Sequence, residues 1–163
     1  MSNLDVKITI INPTEYRDRG CRIPKYHSEG ASGIDLSACI ERDIKLKWGD
    51  RTLVPTGIKM EIPRGYEGQV RSRSGAAVAG LVVANAPGTI DSDYRGEILV
   101  LLTNIARTEF QDEDNGIWVR AGLRIAQIVI APVAKANLVV VEQLSDTERG
   151  DKGFGSTGGM DLS

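Results

Sequence analysis

The sequence predicts an all-β fold, a jelly-roll-like β-barrel with one short helix, and three observations carry that expectation. Apolar and polar residues alternate with period two over several short stretches, denser apolar runs follow, and turn signals bearing Gly or Pro separate them. With 163 residues and 41% hydrophobic content, the chain can bury one sizeable core in one domain.

The elements are justified in chain order. Val6, Ile8 and Ile10, then Ile44, Leu46 and Trp48, then Ile58, Met60 and Ile62 each read as a strand with one buried face. The runs EILVLLTNI (97–105), RIAQIVIAPV (124–133) and NLVVVEQL (137–144) read as strands buried on both sides. Between them lie IPRGYEG, NAPG, DSDYRG, DEDNG and RAG, each a turn signal. SGAAVAGL, rich in Ala and opening on Ser74 as an N-cap, predicts the one helix, and a helix N-terminus offers free N–H groups to an anion. Residues 1–148 are expected to form the domain and 149–163 a flexible glycine-rich arm.

Composition excludes several classes of function. Lys and Arg number 20 against 22 Asp and Glu, so the net charge of −2 gives no reason to expect a nucleic-acid polymer as partner. A small anion gripped by a few focused arginines stays open. Cys21 and Cys39 are too few for a disulfide framework or a zinc site, and two reduced thiols fit a cytoplasmic protein. MSNLDVKITI has no basic region leading into a long apolar run, and no stretch approaches the roughly 18 apolar residues of a membrane helix. His27 is the only histidine, which rules out a mechanism needing two; in KYHSEG it reads as a loop residue.

Four stretches carry chemistry-bearing side chains. In ASGIDLSA (31–38), alternation sets Asp35 opposite Ile34 and Leu36, as a solvent-facing or turn carboxylate. In VRSRSGAA, Arg73, Ser74 and Gly75 form either a phosphate grip or an ordinary strand-to-helix turn. NAPGTIDSDYRGEI (85–98) reads as a hairpin whose contents exceed what a turn requires: the Asn85 amide suits a base edge, the Tyr94 ring suits a sugar, and Asp91, paired with Asp93, can orient water. RGDKGFGSTG (149–158) is not a Walker A loop. Its glycines permit close approach to an anion, Ser156 and Thr157 donate hydrogen bonds, Arg149 supplies charge and Phe154 can stack on a flat base. Taken alone, the same stretch reads as a flexible tail.

These four stretches, with GLRIAQ (122–127) and in this order, resemble the five motifs of the trimeric dUTPases, the deoxyuridine triphosphate nucleotidohydrolases, from about Ala31 to Gly158. The resemblance implies a dUTPase-like jelly roll, a homotrimer with active sites between subunits, and Mg²⁺-assisted hydrolysis of dUTP to dUMP and pyrophosphate. It implies that Asp35 helps hold the Mg²⁺-triphosphate through water, that Arg73, Ser74 and Gly75 grip phosphates, and that Gln127 adds a donor. Asn85 and the backbone of Gly88, Thr89, Ile90 and Asp91 would read uracil, with Leu99 lining the base pocket. Tyr94 would pack on the deoxyribose and exclude a 2′-hydroxyl, and Asp91 would be the general base. The arm would close over a neighbouring subunit's site, with Phe154 over uracil and Arg149, Gly155, Ser156 and Thr157 at the terminal phosphate.

The chain departs from the family pattern at Lys152, at Ile34 and in TEFQDEDNGIWVRAG (108–122), a longer connection that suggests an extended hairpin. A dCTP deaminase of the same fold is the nearest alternative, and a dUTP-sensing regulator without turnover is another. The GFGST tail favours hydrolysis, and Asp91 beside Tyr94 argues for a positioned water.

Overall fold

The structure is a computed structural model and describes residues 4–106 and 116–152. In order these form β1 (Lys7–Ile10), α1 (Pro13–Asp18), β2 (Ile34–Ser37), β3 (Ile44–Lys47), β4 (Arg51–Pro55), β5 (Ile58–Glu61), β6 (Tyr66–Arg71), α2 (Ser74–Val78), β7 (Leu81–Val83), β8 (Gly88–Ile90), β9 (Leu99–Asn104), β10 (Gly116–Val119) and β11 (Arg124–Pro132). The pairing is antiparallel throughout: a four-stranded sheet β2-β11-β6-β8, a three-stranded sheet β4-β9-β7, and the pairs β1-β5 and β10-β3. The mostly-β expectation holds. No helix of the described residues is long and apolar enough to cross a membrane.

All four sheets feed one hydrophobic core. Leu36, Val70 and Ile128 enter from the largest sheet, Val54, Val83, Val100 and Leu102 from the three-stranded one, and Ile58, Met60, Leu46 and Val119 from the two pairs. The alternation of Ile58, Met60 and Ile62 is borne out, with all three buried. β9 differs from its expectation: Val100, Leu102 and Asn104 are buried while Leu99 is exposed, so one face packs instead of two. Asn104 is tolerated in the core because its Nδ2 donates to the Leu46 carbonyl at 2.9 Å and its Oδ1 accepts from the Ala106 N–H at 2.8 Å.

Three further expectations are corrected. NLVVVEQL joins no ladder, and Leu138, Val140 and Leu144 are 89%, 98% and 81% exposed. Its strand-forming sequence finds no edge to pair with in its own chain. Among the described residues two helices are present where one was expected. Asn12, Pro13 and Glu15 start α1: Asn12 is the N-cap, its Oδ1 accepting from the Glu15 N–H at 3.2 Å and its Nδ2 donating to Glu15 Oε1 at 2.8 Å. Tyr16 is the buried residue of α1; its hydroxyl donates to the Arg22 carbonyl at 2.6 Å, and burial, then the charges of Cys21 and Cys39, push it up to about 12. At α2 the cap is Arg73, with extended backbone and no side-chain capping bond, and Ser74 is already helical. Arg73 is engaged elsewhere, with Asp35.

The segment 85–98 is a crossing between sheets, not a hairpin. β7 belongs to the three-stranded sheet, β8 pairs with β6 of the four-stranded sheet, and β9 returns to the three-stranded one. A turn at 91–94 does form, with the Tyr94 N–H donating to the Asp91 carbonyl at 3.1 Å.

Candidate active site

The four-stranded sheet places the chemistry in two adjoining rows. Ile34, Ile128, Val70 and Gly88 stand side by side across β2, β11, β6 and β8, and the first three pack in or against the core. The next row, Asp35, Gln127 and Arg71, therefore presents its side chains to the opposite face. From β2 to β8 is three strand spacings, about 14 Å.

At the β8 edge, an open cleft of about 240 Å³ is lined by Val70, Asn85, Gly88, Thr89, Ile90, Asp91, Tyr94, Glu97, Leu99 and Leu101. Seven of these were expected from the sequence. A Cβ on Gly88 would stand 3.1 Å from Asn85 Nδ2, so the amide lies directly against a glycine backbone. Tyr94 is braced by its hydroxyl, which donates to the Glu97 carbonyl at 2.9 Å, and its ring occupies the space a Cβ on Gly96 would need. The Glu97 carboxylate is itself tied down, Oε1 accepting from the Gly57 N–H at 2.7 Å. Apolar Leu99 and Leu101 form one wall; an amide, a ring and a carboxylate complete it.

Val70, Glu97 and Leu101 were not expected. Leu101 was readable from period two, since it shares a face with Leu99 two residues before it. Asp91 and Asp93 separate: Asp91 lines this cleft and a neighbouring one of about 240 Å³, lined also by Glu67 and Lys135, whereas Asp93 lines only the neighbouring one.

Around Asp35 the second group gathers. Its side chain is 15% exposed, not solvent-facing as alternation alone suggests. Arg73 Nε donates to Asp35 Oδ1 at 2.7 Å, Arg124 Nη1 donates to Oδ2 at 3.0 Å, and His27 Nε2 lies 3.3 Å from Oδ2. A register shift between Arg124 and Ala126 re-aims the start of β11, which is how Arg124 reaches β2's carboxylate. Gln127 Nε2 donates to the Ser72 carbonyl at 2.9 Å, fixing the backbone just before Arg73, and its Oε1 fills the space beside Gly33. A third cleft, of about 520 Å³, opens here between Arg22, Ile23, Pro24, Lys25, His27, Asp35, Ser37 and Arg124.

Arg124 and His27 were missed. The first lay inside GLRIAQ, where only Gln127 was weighed, and the second was set aside as a loop residue. Ser74 and Gly75 open α2 and are exposed, with free space where a Gly75 Cβ would be. Arg149 is held locally, Nε donating to the Lys152 carbonyl at 2.9 Å. Phe154, Gly155, Ser156 and Thr157 lie outside the described residues, as does most of the 108–122 connection.

The residues test poorly as a direct metal cage. Both Asp35 oxygens already accept from guanidinium N–H groups, and the described residues hold no cluster of three or more His, Cys, Asp or Glu able to take a cation.

A mostly-β protein whose small cleft combines an amide, a ring and a carboxylate, with two arginines on one carboxylate a few strands away, has the donors and charge that suit a nucleotide. The comparisons narrow this. The dUTPase family model matches residues 19–158. The deoxyuridine 5′-triphosphate nucleotidohydrolase of Chlamydia pneumoniae is 52% identical over 143 residues, covering 86% of this chain and 94% of that protein. That of Rhizobium etli is 50% identical over 142 residues, covering 85% and 86%. Among solved structures, the Staphylococcus bacteriophage 80alpha dUTPase with dUPNHPP superposes with a TM-score of 0.75 at 27% identity, covering 94% of this chain and 98% of that one. The chain belongs to the dUTPase family.

Proposed function

We propose that this protein hydrolyses dUTP to dUMP and pyrophosphate, and that the cleft at the β8 edge is where deoxyuridine sits. The observation that carries the reading is the convergence of Asn85, Gly88–Asp91 and Tyr94 from the crossing segment, and of Leu99 from the start of β9, on one cleft. Uracil would lie on Leu99 with its polar edge against the Asn85 amide and the β8 backbone. The Tyr94 ring, braced by Glu97 and Gly96, would leave no room for a 2′-hydroxyl. Asp91 would accept a proton from a water as that water's oxygen bonds to the α-phosphorus and the bond to the bridging oxygen breaks. Arg73, Ser74 and Gly75 would receive the phosphates, with Gln127 setting the backbone before Arg73.

Mg²⁺ is the cofactor of this reading; Asp35, whose oxygens already accept from arginine N–H groups, would hold it only through water, and the ion would supply charge neutralisation at the triphosphate. The two larger sheets would form the facing layers of a jelly-roll-like barrel, since both feed one core. The exposed apolar run 137–144 supports a homotrimer, as a surface that makes sense only when covered. Residues 149–163 would be the arm that closes over a neighbouring subunit's site, in a cytoplasmic enzyme.

The test is to incubate the purified protein with Mg²⁺ and each of dUTP, UTP, dCTP and dTTP and to measure pyrophosphate. Turnover is expected with dUTP alone; similar rates on all four would sink the assignment of the cleft, and release of ammonia from dCTP would revive deamination.

A further inference from the structure

We propose that Glu97 is a positioning residue for sugar selection: its carboxylate, anchored on the Gly57 N–H, fixes the carbonyl that holds the Tyr94 ring, and so stiffens the wall against a 2′-hydroxyl. This rests on the dUTPase reading and adds to it the group that decides how strongly ribose is refused.

A ring excludes an added hydroxyl only as well as it resists being pushed aside. A pocket that merely encloses its ligand rejects an analogue with one extra hydroxyl by no more than about a hundredfold. Tyr94 is poorly placed to be stiff by itself, since it is 42% exposed and stands at the end of the turn at 91–94. Its hydroxyl donates to the Glu97 carbonyl at 2.9 Å. The ring is then only as firm as the backbone at Glu97.

That backbone is fastened to the turn between β4 and β5, 40 positions earlier in the chain. The Gly57 N–H donates to Glu97 Oε1 at 2.7 Å, and a bond to a carboxylate is of the stronger kind. The Ile98 N–H, in the same peptide plane as the Glu97 carbonyl, donates to the Ile58 carbonyl at 3.0 Å. The Ile98 carbonyl accepts from the Thr56 hydroxyl at 2.6 Å, and both residues are buried. These bonds hold one end of the plane. Its other end is the Glu97 Cα, preceded by Gly96, where the chain has most freedom to swing. The carboxylate closes that end.

The anchor is itself immobile. Gly57 has a φ of 71°, and a Cβ there would stand 2.8 Å from Cys39 Sγ and 2.9 Å from Tyr16 Cδ2, so the turn is seated on the core. Its carbonyl accepts from the Ile11 N–H at 3.0 Å. With Oε1 given to Gly57, Glu97 acts on the sugar through Tyr94.

The experiment measures kcat/KM for dUTP and for UTP by pyrophosphate release, with Mg²⁺, in wild type, Glu97→Ala, Glu97→Gln, Tyr94→Phe and the double variant Glu97→Ala/Tyr94→Phe. Binding of the imido analogue dUpNHpp reports whether the fold and the cleft survive. Glu97→Ala is expected to lower the dUTP-to-UTP ratio about tenfold or more, through faster UTP turnover, while dUpNHpp binds nearly as before. Glu97→Gln keeps an oxygen for the Gly57 N–H and is expected to stay within about threefold of wild type. Tyr94→Phe keeps the ring but loses its brace, and is expected to match Glu97→Ala. The double variant is expected to be no worse than either single, because both break one link. An unchanged ratio in Glu97→Ala, equal slowing on both substrates included, would overturn the proposal. So would a Glu97→Gln protein as permissive as Glu97→Ala, since the acceptor would then not be what matters. If Glu97→Ala loses dUpNHpp binding through misfolding, Tyr94→Phe decides, and a normal ratio there overturns the proposal. Wild type that turns over dUTP and UTP alike would overturn the dUTPase reading itself, and the role of Glu97 with it.

Discussion

Asp91 and Asp93 are two residues apart and chemically identical, yet the turn between them gives them different surroundings. Asp91 stands on the wall of the cleft that holds Tyr94 and Asn85; Asp93 lines only the neighbouring cleft. If Asp91 takes the proton, Asp91→Asn should bind dUpNHpp normally and lose at least about a hundredfold in turnover. Asp93→Asn should turn over dUTP at close to the normal rate, since nothing places it near the reacting water. Steady-state kinetics on both variants checks this, and near-normal turnover in Asp91→Asn would remove it from the role. At this scale the sequence was legible where the chemistry is local: Asn85 to Leu99 are neighbours in the chain and remain so in the cleft. It was not legible at Asp35, whose partners Arg73 and Arg124 stand 38 and 89 positions away. Alternation gives a side chain's face, but says nothing of which distant cation arrives there.

At the scale of elements, β6 joins the two side-chain clusters proposed to serve the substrate, since it pairs with β8 at the Asn85–Tyr94 cleft and with β11 beside Asp35. Gly68 is where it is packed most tightly. A Cβ there would stand 2.8 Å from Ile128 Cδ1, 3.0 Å from Ile62 Cδ1 and 3.2 Å from Ile90 Cβ, so β11, the segment after β5 and β8 all close on the same point. Gly68→Ala should therefore destabilise the protein by about 1–3 kcal/mol, measured by urea unfolding, and should weaken deoxyuridine binding by displacing β8. Unchanged stability would mean that the three isoleucines can retreat. The same packing explains what pattern alone misread. Period two found β5 because one of its faces is buried, which alternation records, but 85–98 was taken for a hairpin because alternation names no pairing partner, and β8 pairs with β6 and not within its own segment. The start of α1 was readable in Asn12, Pro13 and Glu15; it escaped because Tyr16 alone is buried and leaves no apolar stripe.

At the scale of the whole molecule, the run 137–144 contradicts the single chain. Leu138, Val139, Val140, Val141 and Leu144 form a strand-like sequence that β-propensity favours, and each is largely exposed, Val140 at 98%. Burying one such side chain is worth about 1.5–3 kcal/mol, so leaving several in water is a cost that association removes. The strand expected there, buried on both sides, is absent, and its apolar residues stand in solvent. If a second copy covers this run in a homotrimer, Val140→Lys should shift the protein from trimer to monomer in sedimentation at micromolar concentration, because a buried ammonium lacks a partner there. Val140→Leu should leave the trimer intact, being apolar and of similar size. Turnover should fall together with assembly in Val140→Lys and recover as protein concentration rises, since sites shared between subunits exist only in the assembled state. A Val140→Lys protein that stays trimeric, or a monomer with full turnover, would place the subunit contacts elsewhere and leave each chain with a complete site of its own.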